Sequence, residues 1–313
     1  MQPKAEDYKF ELDSTLMSVV GIRTIIPEDA FTAQILGTER SGNGVLLHGD
    51  GLVLTVGYLV TEAETIWISF ADGNTVQGHL LGYDQATGFG LVQALAKIDL
   101  PHLALGESSL VEVGDQVIVA GAGGKNRCVD AQIVAKQEFV GYWEYVLDEA
   151  LYTSPSHPNW GGAALIGPSG DLLGIGSLQL EGAIGELQTD DVNMIVPIDL
   201  LKPILEDLIS KGRSNLPPRP WLGIYATEIG NRIVLAGLAR NAPAEQAELD
   251  VGDVILSVAG EPVRELAAFF RAIWAIGPAG VDIPLRILRD NTTLDVSVKS
   301  IDRNAILKRP TLH

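Results

Sequence analysis

Apolar and polar positions along the first two thirds of the chain alternate in short runs broken by glycine, the pattern of many brief β-strands. Gly44-Val45-Leu46-Leu47, Gly51-Leu52-Val53-Leu54-Thr55, Thr65-Ile66-Trp67-Ile68-Ser69-Phe70, Gln116-Val117-Ile118-Val119-Ala120 and Leu172-Leu173-Gly174-Ile175-Gly176 all read as strands. Asp50-Gly51 and Asp72-Gly73 mark tight turns, because glycine supplies the positive φ that such turns need. Strands at this spacing from Ser18 to about Val196 predict a β-barrel or sandwich. Leu201, Ile204, Leu205, Leu208 and Ile209 then recur at helical spacing, with Asp199 as N-cap and Lys211-Gly212 as the stop. Pro203 falls in the first turn of that helix, where a missing N–H is tolerated.

Asn215-Leu216-Pro217-Pro218-Arg219-Pro220 is a stiff, extended connector and predicts a domain boundary. Beyond it, Ile233-Val234-Leu235 predicts a strand, Pro243 to Leu249 a short helix, and Val254 to Val258 a second strand. Leu266, Phe270, Ile273 and Trp274 stripe one side of a longer helix, and Ile283–Leu288 and Thr293–Val298 flank a turn at Asp290-Asn291. Residues from Asn304 onward are expected to fray. The organisation that follows is an N-terminal extension (1–17), a first domain (18–214), a linker (215–220), a second domain (221–303) and a tail (304–313).

Composition narrows the function classes. The 313 residues are 46% hydrophobic and 20% charged, enough to bury proper cores. Forty acidic against 22 basic residues give a net charge of -18, which repels phosphate backbones and anionic lipid, so no nucleic-acid partner is expected and the acidity is read as solubility. Cys128 is the one cysteine, so it cannot form an intrachain disulfide and is read as a buried filler. No apolar run approaches the roughly 20 residues of a membrane span. The start, Met1 to Phe10, lacks the apolar core of a signal peptide, which leaves two expectations open: a cytoplasmic protein, or a periplasmic one whose leader has been removed. No metal-ligand cluster and no cofactor motif is evident. Gly121-Ala122-Gly123-Gly124-Lys125 lacks the spacing of a phosphate loop and is read as a connection.

The ordered motifs resemble the HtrA/Deg serine proteases over about Val19 to Arg303. Gly42-Asn43-Gly44-Val45 and Asp50-Gly51-Leu52-Val53-Leu54-Thr55 are similar to that family's opening strands, and Phe70-Ala71-Asp72-Gly73 to its next hairpin. Leu105-Gly106-Glu107-Ser108 and Val113-Gly114-Asp115 resemble its inter-barrel region, Asn159, Gly161 and Gly162 sit where it has GNSGG, and Val196-Pro197 precedes its closing helix. In the second domain Trp221-Leu222-Gly223-Ile224 looks like the carboxylate-binding loop of a PDZ domain. Asn241-Ala242-Pro243-Ala244 and Leu249-Asp250-Val251-Gly252-Asp253-Val254-Ile255 match its SPAxxAGLxxGDVI pattern. The resemblance implies a mainly β fold, a chymotrypsin-like double β-barrel followed by an α+β PDZ domain.

The departures lie where the chemistry should be. In the serine mechanism a histidine takes the serine proton, an aspartate orients the imidazole and backbone donors hold the oxyanion. Tyr58 stands at the histidine position in Thr55-Val56-Gly57-Tyr58-Leu59-Val60, and a phenol titrating near ~10 is a poor base at neutral pH. Gly88 stands at the aspartate position in Thr87-Gly88-Phe89-Gly90, and Trp160 at the nucleophile position. Pro158 stands where the family's glycine donates an oxyanion N–H, and proline has none. The resemblance, with these departures, implies a pseudoprotease with no intact catalytic residue. Ser156-His157 offers no replacement, since neighbours in an extended strand face opposite ways. His48, His79 and His102 lack partners at triad spacing, and Asp84 is explained by the turn Tyr83-Asp84-Gln85-Ala86.

The same resemblance implies peptide binding at Trp221, Leu222, Gly223 and Ile224, with Leu266, Phe270 and Ile273 on the helix opposite. A C-terminal peptide would add as a β-strand, its carboxylate held by backbone amides. Valine at position 223 is expected to abolish binding and leave both domains folded. Three functions stay open: a non-catalytic scaffold, regulator or holdase that binds apolar C-termini, an active endopeptidase using other residues, and a purely structural subunit. Relatives also suggest an active HtrA protein as partner and a homotrimer formed through aromatics such as Tyr8 and Phe10.

Overall fold

The computed structural model describes residues 2–181 and 191–308, and the chain divides into two units, the first of 1–137, 149–215 and 307–313 and the second of 138–148 and 216–306. In the first unit, β1 (Val19–Ile25), β2 (Glu39–His48), β3 (Leu52–Val56), β4 (Thr65–Ser69), β5 (Thr75–Tyr83) and β6 (Phe89–Ala94) close a barrel in the order β1-β2-β3-β6-β5-β4. Along β1, Val20, Ile22 and Thr24 are buried while Arg23 and Ile25 are not, the two-residue period of a barrel wall. A second closed barrel takes β7 (Gln116–Ala120), β8 (Cys128–Gly141), β9 (Tyr145–Ser154), β10 (Ala164–Ile166), β11 (Leu172–Leu180) and β12 (Val192–Pro197) in the order β10-β11-β12-β9-β8-β7. Its core holds Val117 with Val119, Ala131 with Ile133 and Ala163 with Leu165, again every second residue.

The helix predicted from Asp199 starts later. A 3-10 turn covers Ile198–Leu200, and the α-helix runs Leu205–Lys211, closed by Gly212 at φ 73°. Pro203 explains the delay, because the residue before a proline is held out of the α region. Asp199 caps nothing there; it accepts the Ser109 N–H at 2.8 Å and pairs with Lys202 at 2.6 Å. The tail also departs from expectation up to Lys308, whose N–H donates to the buried Glu62 carboxylate at 2.9 Å. Residues 309–313 lie outside the described residues.

In the second unit, β13 (Ile224–Glu228), β14 (Ile233–Leu238), β15 (Val254–Val258), β17 (Asp282–Arg289) and β18 (Thr292–Lys299) form an antiparallel sheet in that order, with β16 (Glu261–Pro262) paired to β15. The helix Leu266–Ala275 covers it, and Phe269, Phe270 and Ile273 sit in the core with Ile224, Leu235, Ile255 and Ile287. Asp253 of the Gly-Asp-Val-Ile motif is buried and takes a two-pronged bond from Arg289, each arm 2.6 Å. Burial alone would raise its pKa, but the guanidinium holds it below the ordinary carboxylate range.

Candidate functional site

Pro158 and Trp160 lie in the loop between β9 and β10 and Tyr58 packs against it, while Gly88 sits beside the start of the helix that carries Tyr58. Tyr58 lies on the short helix Gly57–Val60 that follows β3, and its hydroxyl donates to the Ser177 carbonyl at 2.9 Å. Burial pushes this phenol well above its ordinary range, and a hydrogen bond with the Trp160 side chain offsets only part of the shift. The hydroxyl also sits against Gly161, where an added Cβ would lie 2.8 Å from it. Tyr58 therefore keeps its proton at neutral pH and fills the space beside residues 160 and 161. Trp160 is half-buried and its carbonyl accepts from Ala163 N–H at 2.9 Å. Pro158 is exposed, and Gly88 contributes only backbone, accepting from Gly57 N–H at 2.6 Å.

His157 is no substitute base. Its Nδ1 accepts the Asn159 N–H at 3.0 Å, so the proton sits on Nε2, which donates to the Arg127 carbonyl at 2.8 Å. Both ring nitrogens are committed, and burial lowers its pKa, which keeps the ring neutral. Cys128 is buried and its thiol is pushed up to about 12, far from a thiolate at neutral pH. Asp84 accepts both the N–H and the hydroxyl of Thr87 at 2.8 Å, a turn-holding role. His48 is exposed beside Asp50, and no group of metal-ligating side chains occurs among the described residues. The Tyr8 and Phe10 rings lie tilted to one another with centroids 5.3 Å apart, the Tyr8 hydroxyl donating to Asp130 at 3.3 Å and the Phe10 ring covering Gly170.

Asn43, at the centre of Gly42-Asn43-Gly44-Val45, ties the loop to the first barrel. Its side-chain amide donates to the carbonyls of Asn159 at 2.8 Å and Gly161 at 3.1 Å, and its Oδ1 accepts from Ala122 N–H at 2.9 Å. Gly162 passes so close that a Cβ would stand 1.8 Å from the Asn43 carbonyl, at φ +76°. Only glycine fits there. An asparagine between two glycines, just ahead of the apolar run Val45-Leu46-Leu47, was the available signal.

In the second unit the N–H groups of Leu222, Gly223 and Ile224 converge on one carboxylate, that of Glu144. Oε1 receives them at 3.2, 2.7 and 3.0 Å, and Oε2 receives Leu222 N–H at 3.1 Å. Glu144 is only 4% exposed and stands at the tip of the β8–β9 hairpin, in the segment 138–148 that belongs to this unit. Two residues earlier, the Tyr142 carbonyl accepts Ala226 N–H of β13 at 2.9 Å. Of the predicted groove residues, Trp221 is buried with its N–H donating to the Ile301 carbonyl at 3.0 Å. Leu266 is nearly buried, and Phe270 and Ile273 are core without exposed surface, because the helix stripe faces the sheet. Arg271, on the outer side of that helix, instead pairs with Glu138 at 2.5 Å and with Asp148.

Burial pushes the Glu144 carboxyl up to about 7, against the three amides and Arg303, which pull it down; the phenols of Tyr225 and Tyr142 are also close by. The docked pKa thus exceeds the free value of about 4.3. Docking is therefore at full strength below that value and weakens as pH rises through 7. Hydrogen exchange at Leu222–Ile224, corrected for intrinsic rates, should show protection falling between about pH 5 and 8 and flat in Glu144→Gln. Protection that grows with pH contradicts this.

Comparison with known proteins fits both units. The family described as Trypsin-like peptidase domain matches residues 42–175, and the PDZ domain family matches 220–300. A "Probable periplasmic serine endoprotease DegP-like" of Pseudomonas fluorescens is 26% identical over 277 residues, 83% of this chain and 56% of the relative. One of the same description from Chlamydia trachomatis is 24% identical over 275 residues, 82% of this chain and 53% of the relative. The chain thus spans about half the length of the curated relatives it matches. Among solved structures, the HtrA-type protease AlgW with decapeptide superposes with a TM-score of 0.56 at 19% identity, covering 96% of this chain and 100% of that one. The serine endoprotease from Yersinia pestis gives 0.55 at 22%, over 96% and 99%. A trypsin-like peptidase domain followed by a PDZ domain, together with relatives of the DegP kind, supports an HtrA-type family for this chain, and the solved HtrA-type structures share its fold.

Proposed function

We propose that this chain is an HtrA-type protein without peptidase activity that binds peptides or protein C-termini through its PDZ domain, as a scaffold, regulator or holdase. The observation that carries the first half is Tyr58: at the base position stands a phenol with its proton committed to the Ser177 carbonyl, against a loop whose nucleophile position is an indole. The second half is supported by Leu222, Gly223 and Ile224, whose amides are arranged to receive a carboxylate. The matched relatives are named periplasmic, and an extracytoplasmic setting is part of the proposal. Incubation with a serine-directed fluorophosphonate followed by intact mass should give no adduct, while a free-acid apolar peptide should bind and its amidated twin should bind less well. An adduct on a defined residue favours the second reading, an active endopeptidase on other residues, to which the relatives' printed name lends support.

Restoring serine alone should restore nothing. Trp160→Ser still lacks a base at Tyr58, an orienting acid at Gly88 and a donor at Pro158. Proteases that lose one triad member keep about 10³–10⁴-fold catalysis over water, through the oxyanion hole and substrate binding. With the hole also incomplete, casein turnover by Trp160→Ser is expected to stay at the buffer rate. Measurable turnover would show that base and hole are intact.

A further inference from the structure

Three amides aimed at one point are what a PDZ loop offers to the end of a peptide. Here they hold the side chain of Glu144, and the Ala226 N–H holds the Tyr142 carbonyl two residues before it. A bound C-terminal strand makes the same pair of contacts, carboxylate in the loop and main chain on the edge strand. The hairpin tip thus copies a ligand in chemistry and in register. We propose that Tyr142-Trp143-Glu144 is a tethered ligand of the PDZ groove, and that a free C-terminal peptide enters by displacing it. The inference rests on the peptide-binding reading above and goes beyond it by naming what already fills the site.

Backbone conformation supports this independently. Glu144 has φ 58°, in the left-handed region, at the last position of the three-residue tip between Gly141 and Tyr145. Hairpin tips of this length place glycine or asparagine there, since other side chains are strained. A glutamate is the wrong residue for the turn and the right one for the loop. The strain is offset only while the carboxylate is bound, which makes the tip a poised element rather than a plain cap. The flanks are held separately: Val146 lies in the core of the unit, Val140 packs on it, and Arg271 bridges Glu138 and Asp148. The tip can therefore leave without unfolding the hairpin base.

The ligand chemistry follows from the same register. Its free carboxylate takes the place of the Glu144 carboxylate, and its third-last residue takes the place of Tyr142, whose ring lies 5.9 Å from Tyr225. An aromatic third-last residue and an apolar last residue fit best. While no ligand is present, Glu144 satisfies amides that are otherwise buried without acceptors.

The test uses the full chain as wild type, Glu144→Gly and Glu144→Gln, with a fluorescein-labelled octapeptide ending in Tyr-Trp-Val, as free acid and as amide. Glycine suits the left-handed turn, so the first variant keeps the hairpin and loses only the carboxylate; the second keeps the shape and loses the charge. By anisotropy, Glu144→Gly should bind the free acid at least tenfold more tightly than wild type, because the competitor is gone, whereas Glu144→Gln, which keeps the neutral docked side chain, should bind no more tightly than wild type. Hydrogen exchange of the wild type should quicken across 138–148 and slow across 222–226 when peptide binds. Equal or weaker binding by Glu144→Gly, or unchanged exchange across 138–148, overturns the tethered ligand and leaves the peptide-binding reading standing. Absence of binding by all three proteins overturns that reading, and the tethered ligand with it.

Discussion

Arg40→Ala is expected to destabilise the first unit by about 3–5 kcal/mol, the range for removing one side of a buried charged network. Arg40 is 6% exposed and donates to the carbonyls of Tyr58 at 2.7 Å, Gly37 at 3.2 Å and Thr61 at 3.2 Å, and to the Thr32 hydroxyl at 2.8 Å. Burial lowers its pKa to about 10, with the Glu62 carboxylate opposing, so it remains charged at neutral pH. Alanine would leave those acceptors without a donor and the buried Glu62 without its nearby positive charge. It would also loosen the helix that carries Tyr58. Arg40→Lys keeps the charge but not the fork of donors, and should recover only part of the loss. Urea unfolding of the full chain measures both; an unchanged first-unit transition for the alanine variant would contradict the network's importance.

The second large effect is at Gly223, where the structure corrects the sequence expectation that valine would block peptide and spare the fold. An added Cβ would lie 2.3 Å from the Ala242 Cβ and 3.0 Å from the Trp221 ring, at φ +78°. Overpacking costs about 1–3 kcal/mol, and the left-handed backbone adds about 1–2 for an L side chain. Gly223→Val should therefore melt the second unit well below the wild-type temperature, and peptide binding would vanish with the fold. Retention of the wild-type melt would mean that the loop has room the geometry denies.

Glycine-punctuated strands, the proline-rich connector and the Gly-Asp-Val-Ile motif made both folds legible, because turn chemistry and two-residue periodicity are local signals. The departures at Tyr58, Gly88, Trp160 and Pro158 rest on the resemblance, where a tyrosine, a glycine, a tryptophan and a proline stand out against an ordered motif series. Phe270 and Ile273 were misread as groove wall because a helical stripe says which face is apolar and not what it faces. Asp199 was misread as a cap because Pro203 shifts the start of the helix. Glu144 was invisible: nothing local in Tyr142-Trp143-Glu144 announces a partner 78 to 80 residues away. Only the positive φ at a non-glycine marks it, and that is a property of the folded chain.

The most direct test of the central claim is casein hydrolysis by the purified full chain at stoichiometric concentration, with fragments read by mass spectrometry and saturating Tyr-Trp-Val peptide present to engage the PDZ domain. The account predicts a fragment pattern identical to buffer over a day. New fragments that co-purify with the protein and disappear on fluorophosphonate treatment would contradict it.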